Sequence, residues 1–216
     1  NLTSNFKTNS PLANSGSIKV PSGQFVVSTN SAITNTGPIT VSNNFKTESP
    51  IANSSTITIS GEGVFDSGSN FDNSGTVSIG GNFSNNGPFI NSGTITLKGG
   101  FNDFKSSSNV SNTSTGKLTL DKQTTIDGNF NSAGEVKFLS GLLQSNGNSK
   151  IINSGLFEAL TSEFISRGIF SNNSGGSVTV YKLTQNSGGS VITNNCKYLV
   201  LTDADVDQVI NKKSYF

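Results

Sequence analysis

A phrase of the form Asn-Ser-Gly-Thr-Ile-Thr-Leu returns along almost the whole chain and limits what this sequence can fold into. It begins at Asn14, Asn35, Asn53, Asn73, Asn91, Asn112, Asn131, Asn153 and Asn173, and it fades at Asn194. Nine steps over 180 residues give a mean period of 20, with single steps of about 18 to 22. Repeats of this length mark arrays in which one unit cannot bury its apolar face alone. The longest match lies two periods apart: Asn5-Phe6-Lys7-Thr8, Ser10-Pro11 and Ala13-Asn14-Ser15 reappear as Asn44-Phe45-Lys46-Thr47, Ser49-Pro50 and Ala52-Asn53-Ser54.

Each period holds three apolar slots. The first is an alternating pair: Ile18/Val20, Ile39/Val41, Ile57/Ile59, Val77/Ile79, Ile95/Leu97, Leu118/Leu120, Val136/Phe138, Phe157/Ala159 and Val178/Val180. Polar partners such as Thr56/Thr58 and Thr94/Thr96 complete the alternation, the signature of a strand with one face buried. The second slot is a large residue further on: Phe25, Phe45, Phe65, Phe83, Phe101, Leu142, Phe164 and Leu183. The third precedes the next Asn: Leu12, Ile33, Ile51, Phe71, Phe89, Val110, Ile151 and Ile192. Gly and Asn separate the slots, as turns require.

Like slots superpose if each period is one coil of a parallel β-solenoid. The expected fold is therefore all-β: a single-domain right-handed parallel β-helix of about ten coils of roughly 20 residues. Coils stacked about 4.8 Å apart give a rod of roughly 48 Å. The domain reading is β-helix repeats over 1–195, then the last coil and a C-terminal capping segment over 196–216. The Asn column suits the bend, since Asn tolerates left-handed backbone and its amide can donate and accept between coils as a ladder.

Composition narrows the function. Asn, Ser, Thr and Gly make up just over half of the chain, yet it carries 15 Phe, which a disordered chain would avoid. There is no His, the commonest general base and metal ligand. A net charge of +1 argues against nucleic acid as a partner and against a polybasic membrane contact, and no apolar run is long enough for membrane insertion. The single Cys196 cannot make an internal disulfide and reads as a buried inward residue. The first residue is Asn1, with no Met and no signal peptide, as in a processed form or an excised fragment.

Phrases such as Asn73-Ser-Gly-Thr-Val-Ser-Ile-Gly-Gly-Asn-Phe83 and Asn91-Ser-Gly-Thr-Ile-Thr-Leu-Lys-Gly-Gly-Phe101 resemble the N-terminal β-helix of fungal hyphally regulated cell-wall adhesins. They are also similar to the β-helical shafts of bacterial filamentous haemagglutinins and autotransporters. The resemblance covers nearly the whole chain and implies a secreted, wall-attached adhesion module at the cell surface.

Polysaccharide lyases and hydrolases also use β-helices, but they need clustered acids. Here Asp66, Asp72, Asp121, Asp127, Glu158 and Glu163 are scattered, and Arg167 is the one Arg, so no catalytic, cofactor or metal set is expected and the chain reads as a non-enzyme. The dense run Asp203, Asp205, Asp207 could hold Ca²⁺ from one strand face, but Gln208 and Ser214 stand where an EF-hand loop needs Gly and Glu, so polar capping is the expectation. Outward Thr56/Thr58, Thr76/Ser78 and Thr94/Thr96 form two ranks like those of ice-binding solenoids. These ranks fail at Ser17/Lys19, Pro38/Thr40, Glu135/Lys137 and Leu156/Glu158. Six Asn-x-Ser/Thr sequons stand at Asn1, Asn53, Asn82, Asn109, Asn112 and Asn172; those in the ladder column, Asn53 and Asn112, should stay bare if the ladder is internal.

Two function classes follow. One is an extracellular adhesin module that contacts a host cell, a polysaccharide or an abiotic surface. The other is a structural subunit of a head-to-tail fibre, self-associating through an open N-terminal coil: Asn5 to Ser15 nearly copies an interior segment and offers no cap. Ice binding through the Thr ranks is a third reading.

Overall fold

Alternation of small apolar and hydroxyl residues, broken by Gly and Asn every few positions, gives strands too short to stand alone, and in the protein they are stabilised by stacking on their own copies. The computed structural model describes residues 5–185, 190–194, 197–205 and 209–212. These form an all-β parallel β-solenoid of about nine turns with about 20 residues per turn. Every strand pairs in parallel with its counterpart one coil away, as in Thr56↔Thr76↔Thr94, Phe25↔Phe45 and Asn53↔Asn73↔Asn91.

Each coil has three short strands and hence three faces. Face one carries strands such as Ile39–Val41, Thr56–Ile59, Thr76–Ile79 and Thr94–Leu97. Face two carries Phe25–Val27, Phe45–Thr47, Phe83–Asn85 and Phe101–Phe104, and face three Ile33–Asn35, Ile51–Asn53, Phe71–Asn73 and Asn109–Asn112. Later in the chain, Leu156–Ser166 and Ser177–Gln185 run from face one onto face two through a register shift at the corner. Lys197–Asp205 and Val209–Lys212 continue the parallel pairing into the segment expected to be the last coil.

The interior is a column of like on like. The expected face-one pairs from Val20 to Val180 are buried, as are Ile33, Ile51, Phe71, Phe89, Val110 and Ile151 on face three. Phenylalanine rings run Phe6–Phe25–Phe45–Phe65–Phe83–Phe104–Phe130 with centroids 4.7 to 5.8 Å apart. Such offset and edge contacts add to the area that each ring buries.

The second slot needs correction at three coils. Phe101 and Leu142 point outward and are only half-buried; the inward positions are Asn102, Phe104 and Leu143. Phe65 is buried but stands two residues past the column. Gly63 occupies its place, where a Cβ would lie 2.7 Å from Ile79 Cδ1.

The Asn column is a ladder, buried and directional. Each Nδ2 donates to the Oδ1 of the next coil: Asn14 to Asn35 at 2.7 Å, Asn35 to Asn53 at 2.7 Å and Asn53 to Asn73 at 2.7 Å. Asn73 donates to Asn91 at 2.9 Å, Asn91 to Asn112 at 2.8 Å and Asn153 to Asn172 at 2.8 Å. Two expected members are not in it. Ser132 takes the rung in place of Asn131, and Asn172 takes it in place of Asn173. Asn131 lies one residue off the inward parity, so its side chain faces out. Asn85, off the ladder column, is also fully buried, with its Nδ2 donating to the Gly87 carbonyl at 2.8 Å.

The corner between faces two and three alternates strictly between two spans. Four positions separate Thr8 from Leu12, Thr47 from Ile51, Asn85 from Phe89, Ile126 from Phe130, and Ser166 from Phe170. Six separate Val27 from Ile33, Phe65 from Phe71, Phe104 from Val110, and Ser145 from Ile151. The unit of this rod is therefore a pair of coils, which is why the longest sequence match lies two periods apart.

Candidate binding surface

With an interior filled by side chains, contact with anything else falls to the outer faces. Face one is the most regular. Its outward positions place Thr56, Thr76 and Thr94 in one rank and Thr40, Thr58, Ser78, Thr96 and Thr119 in a second, neighbours paired directly across coils. Inter-coil spacing is about 4.8 Å, and alternate residues along a strand lie about 7 Å apart, so the hydroxyls and methyls form a flat grid. β-branched Thr is stiff at χ1, which keeps such a grid ordered.

The grid ends where charge begins. Beyond Thr94 the first rank continues as Lys117, Glu135 and Leu156, and beyond Thr119 the second continues as Lys137 and Glu158. Lys137 Nζ lies 2.8 Å from Glu135 Oε1 and 3.6 Å from Glu158 Oε2. The Lys137 hydrogen bond holds the Glu135 carboxyl below its ordinary range. At the other end Pro38 and Lys19 interrupt the ranks, as expected.

Most of the scattered acids are matched with bases and donors. Lys46 Nζ lies 3.1 Å from both Glu48 and Asp66, Glu163 accepts from Thr184 Oγ1 at 2.7 Å and faces Lys182 at 3.2 Å, and Ser140 donates to Asp121. Asp127 accepts from the Asn146 amide. Asp72 and Glu62 have no such partner among the described residues, and neither has Asp103. Burial, with Asp127 nearby as a second cause, raises its carboxyl above the ordinary value. Among the described residues no group of three or more His, Cys, Asp or Glu could hold a metal ion. Asp207 and Cys196 lie outside the described residues, as do the side chains of Asp203 and Asp205.

One surface feature escaped the sequence reading. At the corner between faces one and two, Leu139 (51% exposed), Leu160 (48%), Tyr181 (43%) and Leu201 (47%) stack on successive coils. Each directly follows an inward apolar residue (Phe138, Ala159, Val180 and Val200), so two apolar neighbours in a row were the available signal. Earlier coils carry Ser42, Ser60, Gly80, Lys98 and Asp121 at that corner. A shallow recess beside it, about 170 Å³, is lined by Lys137, Leu139, Glu158, Leu160 and Thr161. On face three a broader groove of about 450 Å³ runs past Thr34, Ala52, Asp72, Ser74 and Ser92.

No protein-family model matches the chain, and no curated protein or solved structure matches it either.

Proposed function

We propose that this chain is a non-enzymatic extracellular rod, a cell-surface or cell-wall adhesin module that binds an extended polysaccharide or a solid surface along face one. The observation that carries the reading is the registered Thr/Ser grid, Thr40 to Thr119 and Thr56 to Thr94. A flat, uncharged field of hydroxyls with a fixed repeat offers many weak contacts to a ligand that is itself repetitive, and their sum gives avidity. The resemblance of Asn73–Phe83 and Asn91–Phe101 to adhesin β-helices supports the same reading. The test is a binding assay on insoluble polysaccharides and mineral or polymer beads, with Thr58→Lys and Thr96→Lys as the paired variant. The expected result is at least about tenfold weaker binding by the variant at unchanged stability. Equal binding by variant and wild type removes face one as the contact.

A second reading, head-to-tail stacking, is favoured by the first described coil. Phe6, Leu12 and Ile18 are only partly buried there, and the ladder's direction leaves the Asn14 Oδ1 facing away from Asn35 as an acceptor. A preceding coil of the same protein or a second copy would complete the same pairing. Light scattering across a concentration series checks it: concentration-independent monomers exclude the second copy. Ice binding is the third reading of the same Thr grid, and thermal hysteresis in freezing solutions separates it from polysaccharide contact.

A further inference from the structure

We infer that Asn82 and Asn109 are the two described sequons able to carry an N-glycan in the folded rod, and that a glycan on Asn53, Asn112 or Asn172 stops the coil from closing. The inference concerns any route through an N-glycosylating secretory pathway and does not depend on what face one binds.

The chemistry is a transfer to the side-chain amide. A lipid-pyrophosphate-linked oligosaccharide gives up its C1–O bond, and a C1–N bond forms at Asn Nδ2. One amide proton leaves to a base of the host transferase, and the lipid pyrophosphate departs. Afterwards Nδ2 has one hydrogen instead of two and carries a bulky group that must reach solvent.

The ladder cannot accept either change. Asn53 Nδ2 uses both hydrogens, one to Asn73 Oδ1 at 2.7 Å and one to the Ser55 carbonyl at 2.9 Å, and the residue is 2% exposed. Asn112 Nδ2 donates among Ser132 Oγ, the Gly116 carbonyl and the Glu135 carbonyl, at 3.1 to 3.2 Å. Asn172 is equally buried, with Nδ2 donating to the Gly176 carbonyl at 3.2 Å. A sugar on any of the three would have to occupy the space of the next coil. The transferase, however, meets the chain before it folds, so all three are acceptors until their coil closes.

The other two sequons sit differently. Asn82 is exposed, and its Oδ1 accepts the Phe101 N–H at 3.1 Å, which fixes the side chain while a glycosylated amide leaves that bond intact. Gly80, Gly81, Gly99 and Gly100 flank it in its own and the next coil, and its neighbours across the coils are Glu62 and Phe101. Asn109 is exposed at the start of its face-three strand, Asn109–Asn112.

The test is secretion of the full chain from a eukaryotic host, with glycopeptide mapping of the protease-resistant secreted protein and of the retained fraction. Sugars are expected on Asn82 and Asn109 in the secreted protein, with Asn53, Asn112 and Asn172 bare there and occupied in the retained material. The triple variant Ser55→Ala, Ser114→Ala, Ser174→Ala abolishes those sequons but keeps every ladder Asn. Ser114 and Ser174 are exposed and Ser55 half-buried, so the rod itself should be unaffected. Its secreted yield should rise at least about twofold. A glycan on any ladder Asn in the protease-resistant protein overturns the inference. So does a triple variant that secretes no better, or secreted protein with both Asn82 and Asn109 bare.

Discussion

Breaking and repairing the ladder should have opposite signs. Asn73→Ala deletes three hydrogen bonds: Asn73 Nδ2 to Asn91 Oδ1 (2.9 Å), Asn73 Nδ2 to the Gly75 carbonyl (3.1 Å), and Asn53 Nδ2 to Asn73 Oδ1 (2.7 Å). Asn53 Nδ2 keeps the Ser55 carbonyl, but Asn91 Oδ1 loses its ladder donor in a residue with no exposure. A buried acceptor without a partner costs about 1–3 kcal/mol, and each of the other two lost bonds about 1 kcal/mol net, so the expected loss is about 3–5 kcal/mol. The converse change uses Ser132, a rung that is not Asn. Asn112 Nδ2 reaches Ser132 Oγ at 3.1 Å, Ser132 reaches only the Gly134 carbonyl at 3.4 Å, and Asn153 Oδ1 takes the Gly155 N–H at 3.3 Å instead. Ser132→Asn would span that break with an amide accepting from Asn112 and donating to Asn153, a gain of about 1 kcal/mol. Asn131→Ala, on the outward parity, should stay within about 0.5 kcal/mol of wild type. Urea unfolding followed by circular dichroism, read as midpoint at unchanged slope, measures all three. A loss below about 1 kcal/mol for Asn73→Ala, or destabilisation by Ser132→Asn, refutes the argument that the amide chain holds the coils in register.

Three further outcomes follow from the interior. Phe83→Ala and Phe104→Ala should each cost about 3–5 kcal/mol in urea unfolding, whereas Phe101→Ala, half-buried on the outer side, should cost under about 1 kcal/mol. Asp103 has a raised folded-state value, so over the window between its unfolded and folded values the folded state holds more protons, and stability falls as pH rises through it. Asp103→Asn should therefore raise the melting temperature at neutral pH and leave it unchanged well below that window; an equal gain at both would assign the effect to packing. Gly87→Ala places a Cβ 2.3 Å from the Ser69 carbonyl oxygen, a backbone atom, and should lower the unfolding midpoint clearly, while Ser106→Ala, exposed in a wide bend, should not.

The period, the three slots and the inward ladder were readable because each rests on a residue type repeated in place. Parity was harder. The Asn-x-Gly phrase marks a turn but not how many residues the corner consumes, and one extra residue exchanges inside for outside. Asn14 stands four positions before Ile18, and Asn53 four before Ile57, but Asn131 stands five before Val136 and Asn173 five before Val178. Counting back from the inward Val, rather than forward from the Asn, would have chosen Ser132. The same slip placed Phe101 in the core instead of Phe104. The Thr grid from Thr40 to Thr96 was legible because those strands keep four-residue spacing from the ladder, whereas the corner of Leu139, Leu160, Tyr181 and Leu201 repeats over too few coils to announce itself.

The alternating corner makes the last prediction, about deleting coils. Tight and wide bends interlock. In one tight bend Ser49 Oγ donates to the Ser28 carbonyl at 2.8 Å and accepts the Ser31 N–H at 3.0 Å, both in the wide bend of the preceding coil. In the next tight bends Gly87 and Gly128 lie against the carbonyl oxygens of Ser69 and Ser108, so close that a Cβ would stand 2.3 to 2.4 Å away. A tight bend thus fits against a wide neighbour. Removing residues 54–91 joins Asn53 to Ser92 and takes out one coil of each kind, so the bend of Thr47–Ile51 meets that of Phe104–Val110, tight against wide as before. Removing only 54–73 sets the tight bends of Thr47–Ile51 and Asn85–Phe89 together, and removing only 74–91 sets two wide ones together. In a solenoid whose coils were equivalent, stability would fall with the number of coils lost, and the two-coil deletion would be the least stable. Interlocked pairs reverse that order: the two-coil deletion should unfold at the higher urea concentration, with a cooperative transition, than either single deletion. If both single deletions are the more stable, the coils are interchangeable and the paired unit has no energetic meaning.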